Sequence, residues 1–252
     1  MNTIEQSQDL FVDLQPLDKE LPSVSEKLSM FVEDKAKVFV EILANASFYL
    51  SKGNVVSEVY DKNLQAVKTA LSVPSFIKGV MSLSENIAKG KLALKKTIVD
   101  VSFLIGDGVD AVKTLGTLTI YKTSKQALDV LGKVKNVTTL IGCGIQLKDG
   151  LSEAGKLVKI DPTKVDGSKV KDVNKAIEIK KRWVASELSA KNWDNIKNIT
   201  GIAFSALTMT VGYLPWTFAL LGTFGIATKV FNYMNKADSS YWNQQYVQIL
   251  KS

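Results

Sequence analysis

Histidine is absent from this 252-residue chain, and cysteine and arginine each occur once, as Cys143 and Arg182. Without histidine the commonest general base and the commonest metal ligand are both gone. A lone cysteine forms no intrachain disulfide and, with no histidine beside it, excludes the usual zinc spacings. Its neighbours Leu140, Ile141 and Ile145 give it the setting of a buried, inert thiol. The single arginine leaves out the planar fork that clamps phosphates and reads guanine edges, so nucleic-acid binding is disfavoured although the formal charge is +7. No acidic pair stands out as an acid and base. Gly106-Asp107-Gly108-Val109-Asp110 lacks the ligand alternation of a calcium loop and reads as a turn. Gly90-Lys91 and Gly142-Cys143-Gly144 each lack the rest of a phosphate or dinucleotide loop. Ser205 and Ser240 have no nucleophile-elbow context. The expectation is a protein that is not an enzyme, with no catalytic residues, no metal and no cofactor. The acidic, polar N-terminus also lacks the basic-then-apolar order of a secretory signal. No run shows strand alternation between hairpin turns.

What the chain does have is a 31-residue stretch, Asn198 to Thr228, without one Asp, Glu, Lys or Arg. Lys191 and Lys197 close it on one side, Lys229 and Lys236 on the other. Tyr213-Leu214-Pro215-Trp216 sits near its middle. Proline removes a helix hydrogen bond and pushes its predecessor out of the helical region, so two arms of roughly 15 residues are expected. Each arm would reach about 23 Å, short of the ~30 Å hydrocarbon core. The stretch reads as an apolar helical hairpin whose membrane-facing residues would be Ile202, Phe204, Leu207, Tyr213, Pro215, Trp216, Phe218, Leu220, Leu221 and Phe224.

Charge is uneven. Residues 1–34 hold eight acidic side chains against Lys19 and Lys27, about −6, which leaves about +13 on the rest. A lysine-rich, arginine-poor body suits a lipid headgroup layer, since lysine stems lie on apolar surface while the ammonium reaches water. The candidate lipid-facing basic residues are Lys89, Lys91, Lys95, Lys96, Lys180, Lys181, Arg182, Lys197 and Lys229.

In chain order, residues 1–22 form an acidic flexible leader. Ser23 and Glu26 then make a capping box for a helix that runs to Leu50 and closes at Gly53. A second helix spans Val55 to Leu71. A third starts near Pro74 and runs toward Leu104, with a break at Gly106-Asp107-Gly108 before a short helix over Val109 to Tyr121. Ser124 to Ile160 reads as one helix or a pair, with Gly142 and Gly144 marking a kink. Residues 161–175 are the polar linker between an amphipathic helical region, 23–160, and a C-terminal unit, 176–252. That unit holds a basic helix, about Val173 to Asn192, then the hairpin, then a tail in which Tyr241, Trp242 and Tyr246 form either an interfacial belt or a last packed helix. The predicted fold is all-α, a bundle of amphipathic helices around a C-terminal apolar helical hairpin.

Two resemblances follow from these residues. The lysine-rich helix Ile87 to Ile98, the segment Ile105 to Asp110 with Leu115-Gly116, and Asp194-Asn195-Ile196-Lys197-Asn198 before an apolar end bearing Gly212, Gly222 and Gly225 resemble the layout of the membrane-elongation peroxins. That resemblance covers about two thirds of the chain and implies helices inserted in one leaflet that bend a membrane. An apolar hairpin set among amphipathic helices also resembles pore-forming colicin domains and bacterial inclusion-membrane proteins. The expectation is a non-enzymatic, cytoplasm-facing membrane protein, integral or peripheral, whose partners are membrane lipids, with protein partners or self-association open. It would anchor in, shape or scaffold the membrane through lysine-rich amphipathic helices and the 198–228 hairpin, the latter a transmembrane helix pair or a shallower insertion. The alternative is a soluble helical bundle acting as a protein-interaction module or a conditionally inserting pore-forming effector.

Overall fold

A computed structural model describes residues 23–24, 27, 36–53, 58, 63–64, 66–67, 70–90, 93–117, 124–165, 170–212 and 214–251. Six helices are laid out among them: α1 (Ala36–Lys52), α2 (Ser72–Ala88), α3 (Leu94–Thr117), α4 (Lys125–Val158), α5 (Val173–Thr210) and α6 (Pro215–Lys251). There is no strand among the described residues, so the chain is an all-α bundle. The acidic leader, the Glu26 half of the capping box, most of the helix expected over Val55 to Leu71, and residues 166–169 of the linker lie outside the described residues. So do Lys91, Tyr213 and the side chains of Pro215 and Phe218.

Short polar side chains start the two longest internal helices. Ser124 stays extended while its hydroxyl accepts from the Ala127 amide at 3.2 Å, and the Asp172 carboxylate accepts from the Lys175 amide at 3.0 Å. Two glycines with positive φ end helices: Gly90 (φ 62°) follows α2 and Gly212 (φ 81°) follows α5, positions where an L side chain would be strained.

Two sequence expectations are corrected here. The helix from Pro74 toward Leu104 is broken at Lys89–Gly90 into α2 and α3, because Gly90 takes the left-handed turn there. Gly106-Asp107-Gly108 is not a turn but lies inside α3: Gly106 is buried, and Gly108 lies against the Phe76 ring of α2. Of the two readings for Ser124 to Ile160, one helix or a pair, the structure has one helix, α4, continuous across Gly142 and Gly144. The basic helix and the first apolar arm are likewise one 38-residue helix, α5. The second arm continues into the aromatic tail as α6.

Successive helices pack side by side, α2 on α3, α3 on α4, α4 on α5 and α5 on α6, while α1 docks on α6. The matched positions run in opposite directions along each pair. Between α4 and α5, Glu153 pairs with Lys191, Gly150 receives Asn195, and Cys143 faces Gly201. Between α1 and α6, Glu41 meets Lys229, Asn45 meets Gly222, and Phe48 stacks edge-on with Trp216 at 5.5 Å.

Glycines serve as sockets in these pairs. Gly79 faces Leu104, Gly142 faces Phe103, and a side chain from the neighbouring helix fills the space each missing Cβ leaves. The resulting interior is built mostly of small and polar side chains, with Val99, Val109, Val170 and Ile179 among them. Alanines 44, 111, 154, 176, 190 and 219 are buried, as are Asn136, Asn195, Asn198, Asn232, Ser205 and Thr228. Among the described residues no Leu, Met, Phe or Trp is fully buried. Soluble proteins ordinarily place those residues innermost.

Candidate functional site

Residues of α5 and α6 flanking Gly212 form one end of the bundle. Here Met209, Val211, Leu214, Trp216, Leu220 and Phe224 are exposed, with Leu220 63% and Trp216 54% accessible. The Phe48 and Tyr49 contacts to Trp216 bring the C-terminal turn of α1, with exposed Leu50, to the same end. Extending the α4–α5 register by two turns from Cys143–Gly201 brings Val134 and Val137 level with the end of α5. Val130, Val134, Val137 and Ile141 make an outward stripe on α4 at helical spacing, and Ile77, Val80 and Met81 make another on α2.

Of the hairpin residues expected to meet lipid, Phe204, Trp216, Leu220 and Phe224 are exposed, while Ile202, Leu207 and Leu221 are half-buried between helices. The expectation of a transmembrane helix is corrected: among the described residues no helix is long and apolar enough to cross a membrane. The physical reason is arm length, since the charge-free parts of α5 and α6 run only from 198 to 210 and from 215 to 228, about 20 Å each.

The basic residues fall into internal partnerships more than into one face. Lys95 pairs with Asp149, Lys89 with Glu85, and Arg182 with Glu178 at 2.6 Å. Lys180 donates to the carbonyls of Asp161 and Lys164, holding the 161–165 segment against α5. Lys96 and Lys181 are exposed. The aromatic tail packs on α5: Tyr246 stacks on Trp183 at 6.2 Å, and Arg182 lies over Trp242 at 4.8 Å. Burial raises the Tyr246 phenol above its ordinary range.

Where the charges return, a partly open cavity of about 570 Å³ lies among α1, α3, α4, α5 and α6. Lys229 donates to Glu41 at 2.6 Å at its polar end, with Lys197 beside them on α5. Lys197 and Lys236 each reach Asp194 at 2.9 Å. Burial alone would raise the Asp194 carboxyl, but the hydrogen bonds and charges of those two lysines outweigh it and hold the group below its usual range. Phe103 and Phe204 supply the apolar wall, which also includes Cys143. Burial pushes the Cys143 thiol up, and the charge of Lys197 opposes this in part. Asn198 lines the cavity, is 3% exposed, and has a side-chain oxygen without a hydrogen-bond partner.

Sequence reasoning had placed Lys197 and Lys229 at the hairpin's flanks but missed Glu41, Asn45, Phe103 and Gln146, which reach the cavity from three other helices. The only local signal was a polar Asn198 opening an apolar run. Among the described residues no group of three or more His, Cys, Asp or Glu is placed to hold a metal ion.

No protein-family model, curated protein or solved structure matches this chain. The likenesses to peroxins, inclusion-membrane proteins and colicin domains have no counterpart in these comparisons, and the functional reading rests on the geometry.

Proposed function

We propose that the protein is a non-enzymatic, membrane-associated helical bundle that dips the α5–α6 turn into one leaflet and so anchors to, shapes or scaffolds the membrane. The observation that supports this is the inverted packing. Most of the fully buried side chains are small or polar, while Trp216, Leu220, Phe224 and the α4 stripe are exposed. Helices that associate in or on lipid use small residues at their contacts, because the surrounding acyl chains accept the large apolar ones. An exposed apolar end without acidic or basic side chains on 198–228 suits shallow insertion. Tryptophan beside it favours the headgroup boundary.

Vesicle flotation of the full chain tests the reading. Wild type is expected to float with liposomes, and Leu220→Lys is expected to lose between tenfold and about a hundredfold in partitioning, since a charge at hydrocarbon depth costs roughly 3 kcal/mol. Leu220 is the informative site because it is exposed. Its neighbour Ala219 is 8% accessible, and a lysine there would disturb the fold itself. Equal flotation of wild type and Leu220→Lys would remove the turn as anchor. Wild type that stays with the buffer would move the exposed end to a protein partner.

A further inference from the structure

We infer that the cavity is a binding site for one single-chain anionic amphiphile, an acyl chain bearing a carboxylate or phosphate head. The inference stands on the cavity, and it takes from the membrane reading only the source of the ligand. Its volume lies in the range of small-molecule sites, most of its wall is apolar, and its charged groups, Glu41, Lys197 and Lys229, stand at one end.

The charge of the cavity has a direction. Along α5 the lining runs from Lys197 and Asn198 to Phe204, along α6 from Lys229 to Gly222, and along α1 from Glu41 to Asn45. All three progressions lead toward the Gly212 turn. The charged end therefore lies away from the apolar tip, and the end nearer to it holds Phe204 and, against Gly222, Asn45, whose amide nitrogen has no hydrogen-bond partner. A lipid in the leaflet that receives the tip has the same orientation, head toward water and chain toward the bilayer centre.

The charge at the head end favours an anion. Two lysines, Lys197 and Lys229, line that end against one carboxylate, Glu41; Lys229 pairs with Glu41, and Lys197 with Asp194, which is not part of the lining. A carboxylate or phosphate completes that set without displacing either ion pair. The partnerless oxygen of Asn198 fits a hydroxyl donor next to the head, as a glycerol backbone supplies.

Cys143, the chain's one cysteine and part of the cavity wall, is a built-in reporter. Its modification rate by methyl methanethiosulfonate, followed by intact mass on the full chain, is measured with palmitate or 1-palmitoyl lysophosphatidate, each below its micelle concentration. Saturable protection of at least about fivefold is expected, with half-protection in the micromolar range. Lys229→Gln, which keeps a donor for Glu41, is expected to weaken protection about tenfold. Gly225→Leu, whose Cβ makes only an ordinary contact with Thr200 at 3.8 Å, is expected to remove it by filling the space. The exposed Lys156→Gln should match wild type. Absence of protection by either amphiphile, or protection that Lys229→Gln and Gly225→Leu leave unchanged, overturns the site. Flotation without protection leaves the membrane reading standing and ends this one. Protection by free palmitate in a protein that does not float upholds the site and identifies the source as soluble fatty acid.

Discussion

At the scale of single residues the glycines divide into two kinds. A Cβ on Gly150 would stand 2.0 Å from the Asn195 side-chain oxygen, well under contact distance, whereas Gly155 has open space around it. Gly150→Ala is expected to destabilise by about 1–3 kcal/mol as overpacking, and Gly155→Ala to stabilise by up to about 1 kcal/mol through helix propensity. Urea midpoints of the two variants give the comparison directly. The second residue to test is Asp194. Its carboxyl is held low in the folded chain, so its contribution to stability is full above the ordinary aspartate range and is lost as pH falls through the lower folded value. Asp194→Asn should cost about 1 kcal/mol at neutral pH, a figure kept small because Lys236 is largely exposed. The same variant should flatten the acid limb of the stability profile below about pH 4. Neither prediction was legible in the sequence. Gly150 and Asn195 are 45 positions apart, and their meeting depends on the register of two long helices.

At the scale of elements, the hairpin was legible and the glycine-rich breaks were not. Pro215 and a charge-free run located the turn between α5 and α6, and Gly212 takes the left-handed conformation there. Replacing Gly212 with alanine is expected to cost about 1–2 kcal/mol, the penalty of an L residue in that region, read from thermal unfolding. The misreading of Gly106-Asp107-Gly108 has a physical cause. Two glycines lower helix propensity locally, but burial of Gly106 and the Phe76 ring against Gly108 in the α2–α3 contact outweigh that loss. Gly90 has no such neighbour within 4 Å, so nothing opposes the turn there. The basic helix and the aromatic tail each looked like a separate piece because their polarity differs from that of the arms. Both are continuations, since a helix does not end where its surroundings change from apolar to polar.

Across the whole molecule, the all-α class followed from helical periodicity in every long segment, and the site only in part. The exposed end could be placed because its residues are contiguous in sequence. The cavity could not, because five helices build it and Glu41 stands 188 positions from the Lys229 it holds. Inverted packing is also invisible to a single helix, since an apolar stripe is the same pattern whether it faces a neighbour or the outside. Here alanine, serine, threonine and asparagine make up most of the buried positions, with Val99, Val109, Val170 and Ile179 among them, while Leu220, Phe224 and the valine stripe of α4 stay outside.

The docking of α1 on α6 has a consequence for how the chain assembles. Every other principal packing joins helices adjacent in sequence, which form quickly because the loops to be closed are short. The contacts of α1 with α6, such as Tyr49 with Thr223 across 174 positions, require the longest closure. A ribbon of α2 to α5 can therefore collapse before α6 has been made, and α1 docks only once α6 is in place. Since Glu41 travels with α1, the head end of the cavity is the last part of the protein to come into existence and the first to be lost on partial unfolding.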